Sequence, residues 1–276
     1  MVNLEIITNK ENPDKDKSIA VREYLKENYL KMEEEGLPID LDGRINPEFF
    51  KDIYSRQVLE DDRKLVEELL KKEYEGYGDL SLAEIKKIKA KQLGEQFECL
   101  ATAIFQKFFS NRFYILRSSE YDDQINNVDN ILIDKESGNI ICAFDEVGEI
   151  KLKDKRFEDK KEQVLNINLE KEGARLKYGV IFGPQTKTFT PSRVNHIPIF
   201  YLALSPFMVQ EGIKNFKEDK DNEYDQNLYK YFRDSLSAQI TELKLRLLHP
   251  ELLQKIDNFE QTIVPDFSPP NIKNKR

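Results

Sequence analysis

Val128-Asp129-Asn130-Ile131-Leu132-Ile133-Asp134, then Lys135-Glu136-Ser137-Gly138, then Asn139-Ile140-Ile141-Cys142-Ala143-Phe144-Asp145-Glu146-Val147 is the stretch on which the fold turns. Two runs rich in β-branched and apolar residues flank a short polar turn, the pattern of a β-hairpin. Gly138 suits the turn because glycine takes positive φ without steric penalty. If Lys135 pairs with Asn139, the same register carries Asp129 opposite Asp145. Directly opposed residues hold their Cβ atoms ~4.5–5.5 Å apart. Two carboxylates so placed repel each other unless a cation lies between them. A slip of one residue puts Glu146 opposite Asp129 instead. The plainer reading has both aspartates at strand ends, pointing into solvent.

The flanking sequence places this hairpin in an α/β layer. Ahead of it, Leu93, Phe97, Leu100, Ala101, Ile104, Phe105 and Phe108 form one apolar stripe at helical spacing. At ~100° per residue, Glu98 lies at the edge of the stripe and can lean toward the sheet, whereas Glu95 lies almost opposite it. Phe113-Tyr114-Ile115-Leu116 reads as a strand. A polar helix follows the hairpin at about 157–172. The apolar runs 178–182 and 197–204 read as buried strands, although the second also fits a helical period. The order α-β-β-β-α-β-β gives an α/β core with a mixed central sheet at about 91–205.

Both flanks read as helical. In residues 1–90, Asn46-Pro47-Glu48 resembles a helix start and Ser81-Leu82-Ala83-Glu84 is a capping box. In 206–276, Leu236, Ile240, Leu243 and Leu247 form one helical series and Leu252, Ile256, Phe259 and Ile263 another, with His249-Pro250 between them. The tail from Pro265 reads as irregular. These flanks suit a homodimer contact or a clamp on a substrate.

The chain has 276 residues, a net charge of -8 and a pI of about 5.2. Bulk positive charge therefore cannot bring it to nucleic acid, and any such role needs a local site. Residues 149–177 carry nine basic residues against seven acids, directly after the acidic hairpin. The polar stretch 1–17 lacks the apolar run of a signal peptide. The longest apolar run, 197–209, is too short to span a bilayer. Cys99 and Cys142 sit among apolar residues and read as reduced core thiols. A soluble cytoplasmic protein with no membrane span is expected. His196 and His249, the chain's two histidines, have no metal-ligand spacing, so a histidine-based zinc site is not expected. Oxygen ligands at Asp129 and Asp145 suit Mg²⁺ or Mn²⁺.

Gly94-Glu95-Gln96-Phe97-Glu98 ahead of three strands resembles the Gly-x-x-Phe-Glu helix of the PD-(D/E)XK nuclease superfamily, within it the Holliday-junction resolvases and modified-DNA restriction endonucleases. Val128-Asp129-Asn130-Ile131-Leu132 is similar to the second motif of that superfamily, and residues 141–146 stand where its third motif stands. The resemblance covers about 92–205. It implies a restriction-endonuclease-like core (α-β-β-β-α-β), with Asp129, Asp145 and Glu98 around Mg²⁺ or Mn²⁺, Glu146 as the alternate ligand, and DNA as the substrate.

The family's strand lysine is missing. Asp145 is followed by Glu146 and Val147, and a literal Glu149-Ile150-Lys151 comes only after Gly148. Lys160 and Lys161 fall in the same sector of the next helix as Phe157, Val164, Leu165 and Ile167. One of them can reach the acids, or both can snorkel to water. Lys160, Lys151 or Lys153 is therefore expected to orient the attacking water. The alternative is an inactive module of the same fold that binds nucleic acid or protein. The loop 183–193 either touches a phosphate backbone or only connects two strands.

Overall fold

The structure is a computed structural model that describes residues 18–147 and 155–263. The expectations for residues 1–17, for Glu149-Ile150-Lys151, for Lys153 and for the tail from Pro265 lie outside the described residues. The chain begins with α1 (Ile19–Glu34), α2 (Arg56–Glu73), α3 (Leu82–Lys89) and α4 (Leu93–Phe109). Then come β1 (Phe113–Arg117), α5 (Glu120–Asn126), β2 (Asn130–Asp134) and β3 (Ile140–Val147). They are followed by α6 (Lys155–Glu170), β4 (Ala174–Gly183), β5 (Thr188–Ile197) and β6 (Ile199–Ala203). Helices α7 (Pro206–Asn215), α8 (Glu223–Arg246) and α9 (Pro250–Ile263) close the described chain.

The central sheet has the order β1-β2-β3-β6. β1, β2 and β3 form an antiparallel meander, and β6 runs parallel to β3, so the sheet is mixed. Buried residues of α1, α2, α4, α6, α7, α8 and α9 share one apolar cluster with it, while Ile85 of α3 packs with Val66, Leu70 and Tyr74 in a second. Phe144 of β3 stacks on Phe105 of α4 at 5.0 Å between ring centroids and meets Phe259 of α9 at 6.2 Å. One sheet face therefore packs on α4 and α9. Side chains alternate along a strand, so Asp145 leaves β3 on the other face, where Lys160 of α6 meets it.

The β2–β3 hairpin reaches the expected pairing at its open end by an unexpected route. At the turn, Asp134 donates its N–H to the Asn139 carbonyl, so Lys135 does not pair with Asn139. Ile133 pairs with Ile140, a shift occurs between Leu132 and Ile133, and Leu132 pairs with Cys142. Ile141 is the extra residue of a β-bulge. The bulge restores the register in which Asn130 faces Phe144, and Asp129 donates its N–H to the Phe144 carbonyl.

Several expectations need correction. The strand over 178–182 lies within β4, which pairs with β5 in a separate two-stranded sheet and not in the central one. Most of the expected loop 183–193 is strand β5, which leaves a tight turn at its start. The short helix α5 was not foreseen. Its buried Asp122 accepts the backbone N–H groups of Lys177 and Tyr178, which ties it to β4. Asn46 caps only a 3-10 turn, Pro47–Phe50, and α2 starts later under Ser55. The Ser81 capping box on α3 is present, and both cysteines are buried and free.

Candidate functional site

The acids converge where five elements end together. Glu95 and Glu98 lie in the first two turns of α4 and Arg117 ends β1. Asp129 immediately precedes β2 and Asn130 opens it, Asp145 and Glu146 lie near the end of β3, and Lys160 comes from the first turns of α6. The bulge at Ile141 sets which acids meet. Asp145 points to the α6 face and Glu146 to the α4 face, while Asp129 touches the strand between them, its Oδ2 accepting the Glu146 N–H at 2.6 Å. Asn130 donates to Glu146 Oε1 at 2.8 Å, and its own oxygen accepts from the Thr102 hydroxyl at 3.0 Å. Thr102 and Asn130 thus fix Glu146 toward α4.

The cations approach from outside this group. Lys160 Nζ lies 2.6 Å from Asp145 Oδ2. Arg117 donates to Glu95 at 2.7 Å and also to Glu98. Arg44 lies 3.6 Å from Glu98 and 3.0 Å from Asp123 of α5, and Lys89 lies 3.7 Å from Asp123. Among the described residues, six carboxylates (Glu95, Glu98, Asp123, Asp129, Asp145 and Glu146) thus face four cations (Arg44, Lys89, Arg117 and Lys160). The cluster is two negative charges in excess.

That excess shows in the protonation of the group. Burial, then the charge of Asp145, pushes the Asp129 carboxyl up to about 7. Burial also raises Asp145 to about 6, against the pull of Lys160. Glu146 is pushed well above the usual carboxylate range by burial and then by Asp129. Glu98 rises by burial despite Arg117. Glu95, against its own burial, is held down at about 2 by Arg117. Glu146 Oε2 is buried with no hydrogen-bond donor. Buried carboxylates without enough cations either take protons or take a metal ion.

The donor set suits a hard divalent cation, which is commonly held by one or two carboxylates and keeps several waters. Glu98 is already engaged by Arg117 and Arg44, and Asp145 by Lys160, whereas Asp129 and Glu146 press on each other. Among the described residues, no three of these acids bring ligand atoms within 4.8 Å of one another, so direct ligation by all three needs side-chain rotation.

The sequence pattern missed five members of the cluster, Glu95, Arg117, Arg44, Asp123 and Lys89. Glu95 was expected to point away from the sheet. It joins the site because Arg117, at the end of β1, reaches the first turn of α4 and pairs with it, with Arg44 and Lys89 nearby. Arg117 carries a readable signal, a charge that closes the apolar run 113–116. Arg44 and Asp123 sit in a turn and a short helix whose sequences give none. Lys161 lines a small cleft with Tyr201 and Gln239.

His196 and His249, which have no metal-ligand spacing in the sequence, are stacked on each other beside Glu172, with ring centroids 4.7 Å apart. Sequence spacing could not show this, because the two lie on different elements that meet only in the folded chain. Comparison with family models, with curated proteins and with solved structures gives no match to this chain.

Proposed function

We infer that this chain is a metal-dependent nuclease that hydrolyses phosphodiester bonds in DNA, on a core of the PD-(D/E)XK, restriction-endonuclease-like kind. One observation carries the reading: at one end of a mixed sheet, six carboxylates face four cations, a deficit that one divalent ion would balance. Asp129 and Asp145 would hold Mg²⁺ or Mn²⁺, and Glu146 or Glu98 would complete the shell directly or through water. When bound, the cation lowers the pKa of a coordinated water and neutralises charge on the scissile phosphate. Lys160, reaching Asp145 from α6, takes the part of the missing strand lysine and orients the attacking water. Lys151 is the second candidate for that part. Arg117 and Arg44 position Glu98 and do not touch substrate.

No helix among the described residues is long and apolar enough to cross a membrane, and we propose a cytoplasmic location. A chain of charge -8 holds DNA weakly, through the metal and a few basic groups, so binding falls as salt rises with a slope set by the few phosphates those groups neutralise. The test is cleavage of plasmid DNA in Mg²⁺ or Mn²⁺. Wild type cuts, and Asp129→Ala does not. Cutting by Asp129→Ala at the wild-type rate sinks the assignment.

A second reading, an inactive module that binds nucleic acid or protein, is favoured by Val147 at the position of the motif's lysine. Mg²⁺ titration separates the two. A module of that kind shows no ion binding that Asp145→Asn removes.

A further inference from the structure

The chain's two histidines come together away from the acidic site. Glu172 follows α6, His196 lies near the end of β5, and His249 immediately precedes α9. The rings of His196 and His249 stack at an interplanar angle of 15°. Glu172 Oε2 lies 3.8 Å from His196 Nδ1 and 3.8 Å from His249 Nε2. One ligand atom from each of the three side chains lies within 4.8 Å of the other two. Three ligands at ~2.0–2.2 Å from one ion stand within ~4.4 Å of one another, so small side-chain rotations close the set.

The backbone supports the same grouping. Glu172 and His196 have φ of 56° and 55°, in the left-handed region. Such a conformation is strained at a residue other than glycine and collects at functional sites. His196 Nδ1 lies 3.0 Å from the Glu172 carbonyl oxygen. A carbonyl can only accept, so Nδ1 carries the proton in this arrangement; coordination through Nδ1, the nitrogen 3.8 Å from Glu172 Oε2, moves that proton to Nε2 and exchanges this bond for a metal bond. His249 Nδ1 accepts the Leu252 N–H at 3.4 Å. Coordination through His249 Nε2 exchanges this long bond for a metal bond, with the ring proton moving to Nδ1. Glu172 and His249 also line an open cavity of about 480 Å³ with Leu169, Arg246, Leu248 and Pro250. The cavity leaves room for a ligand from solvent.

We propose that Glu172, His196 and His249 form a Zn²⁺ site with one open position, separate from the acidic cluster. Two imidazoles and a carboxylate are a zinc-type donor set. The ion would tie the α6–β4 turn, the end of β5 and the start of α9 together.

The experiment is calorimetric titration of the full chain with Zn²⁺, repeated with Co²⁺ while visible absorption is followed. Wild type should bind one ion at this site, give the intense visible bands of four- or five-coordinate Co²⁺, and melt at a higher temperature with Zn²⁺. His196→Ala should weaken binding by about tenfold or more, the scale of losing a group that supports a metal. His249→Asn should do the same while keeping a helix cap, since asparagine is among the best. This variant tests the ligand without unfolding α9. Asp129→Asn should bind Zn²⁺ here as wild type does, which separates this site from the nuclease reading. Absence of Zn²⁺ binding to wild type, or equal affinity in a folded His196→Ala/His249→Asn double variant, overturns the proposal.

Discussion

Arg117 ends β1 and gives one terminal nitrogen each to Glu95 and Glu98 of α4. Its side chain is 5% exposed, and those of the two glutamates are 12% and 13% exposed. Removing one partner of such a buried group leaves charge without compensation, which costs about 3–5 kcal/mol. Arg117→Met should therefore lose stability on that scale in urea unfolding at neutral pH. Arg117→Lys should lose less, because it keeps the charge but cannot fork across two carboxylates. A loss under about 1 kcal/mol in Arg117→Met would mean that Arg44 alone holds α4 to the sheet end. Asp129, Asp145, Glu98 and Glu146 could be read from strand and helix pattern, because each lies on an element with a clear period. Arg44 and Asp123 could not, because a turn and a short helix impose no period.

At the scale of elements, the hairpin shows what pattern can and cannot decide. Its two strands and its glycine turn were readable, and Gly138 adopts φ 77°. The bulge at Ile141 was not, because β2 and β3 are buried throughout most of their length and their side chains give no alternation to mark the extra residue. Strand β5 was missed for the converse reason: it is largely polar, only Ile197 at its end is buried, and its pairing with β4 makes it a strand. A Cβ on Gly138 would sit 1.7 Å from the Phe182 carbonyl oxygen, whose own residue donates its N–H to the Gly138 carbonyl. Gly138→Ala should destabilise by more than about 1 kcal/mol, and loosened hairpin register should reach Asp145. Thermal melts read the first effect and hydrogen exchange along β3 the second. Unchanged exchange near Asp145 would show that the bulge fixes the register without the turn.

The free edge of the central sheet belongs to the same scale. β6 bonds β3 on one side, and on the other its backbone is covered by side chains. Asn168 of α6 bonds both the N–H and the carbonyl of Ile199, at 3.0 and 2.7 Å. Gln239 of α8 does the same for Tyr201, at 3.0 and 2.9 Å. An uncovered edge invites pairing with another chain. Asn168→Leu should cost about 1–3 kcal/mol by leaving two buried backbone groups unpaired. Greater self-association in light scattering would accompany that loss. Full retention of stability would show that the groups find other partners.

Across the whole molecule, the acidic cluster makes stability depend on pH in a direction opposite to ordinary salt-bridged carboxylates. Asp129 and Asp145 titrate in the folded chain near about 7 and about 6, above the ordinary aspartate value of 3.8. The folded state therefore binds more protons than the unfolded state between those limits. The stabilisation is complete below the unfolded value and is lost as pH rises through the folded ones. Glu95, held at about 2, acts in the reverse sense, with its contribution lost only as pH falls below the ordinary glutamate value of 4.5. Metal-free protein should thus melt highest near about pH 5 and lower at about pH 8. Mg²⁺ should raise the melting temperature at the higher pH and have little effect at the lower, where protons already occupy the carboxyls. Asp129→Asn removes the charge while keeping an acceptor for the Glu146 N–H. It should stabilise the metal-free chain at about pH 8 by about 1–3 kcal/mol, since each pKa unit corresponds to about 1.4 kcal/mol. The same substitution should flatten the pH profile and abolish the Mg²⁺ effect. Were the fall between those two pH values to persist unchanged in Asp129→Asn, the excess charge at the sheet end would not be its source, and the case for a cation there would lose its physical basis.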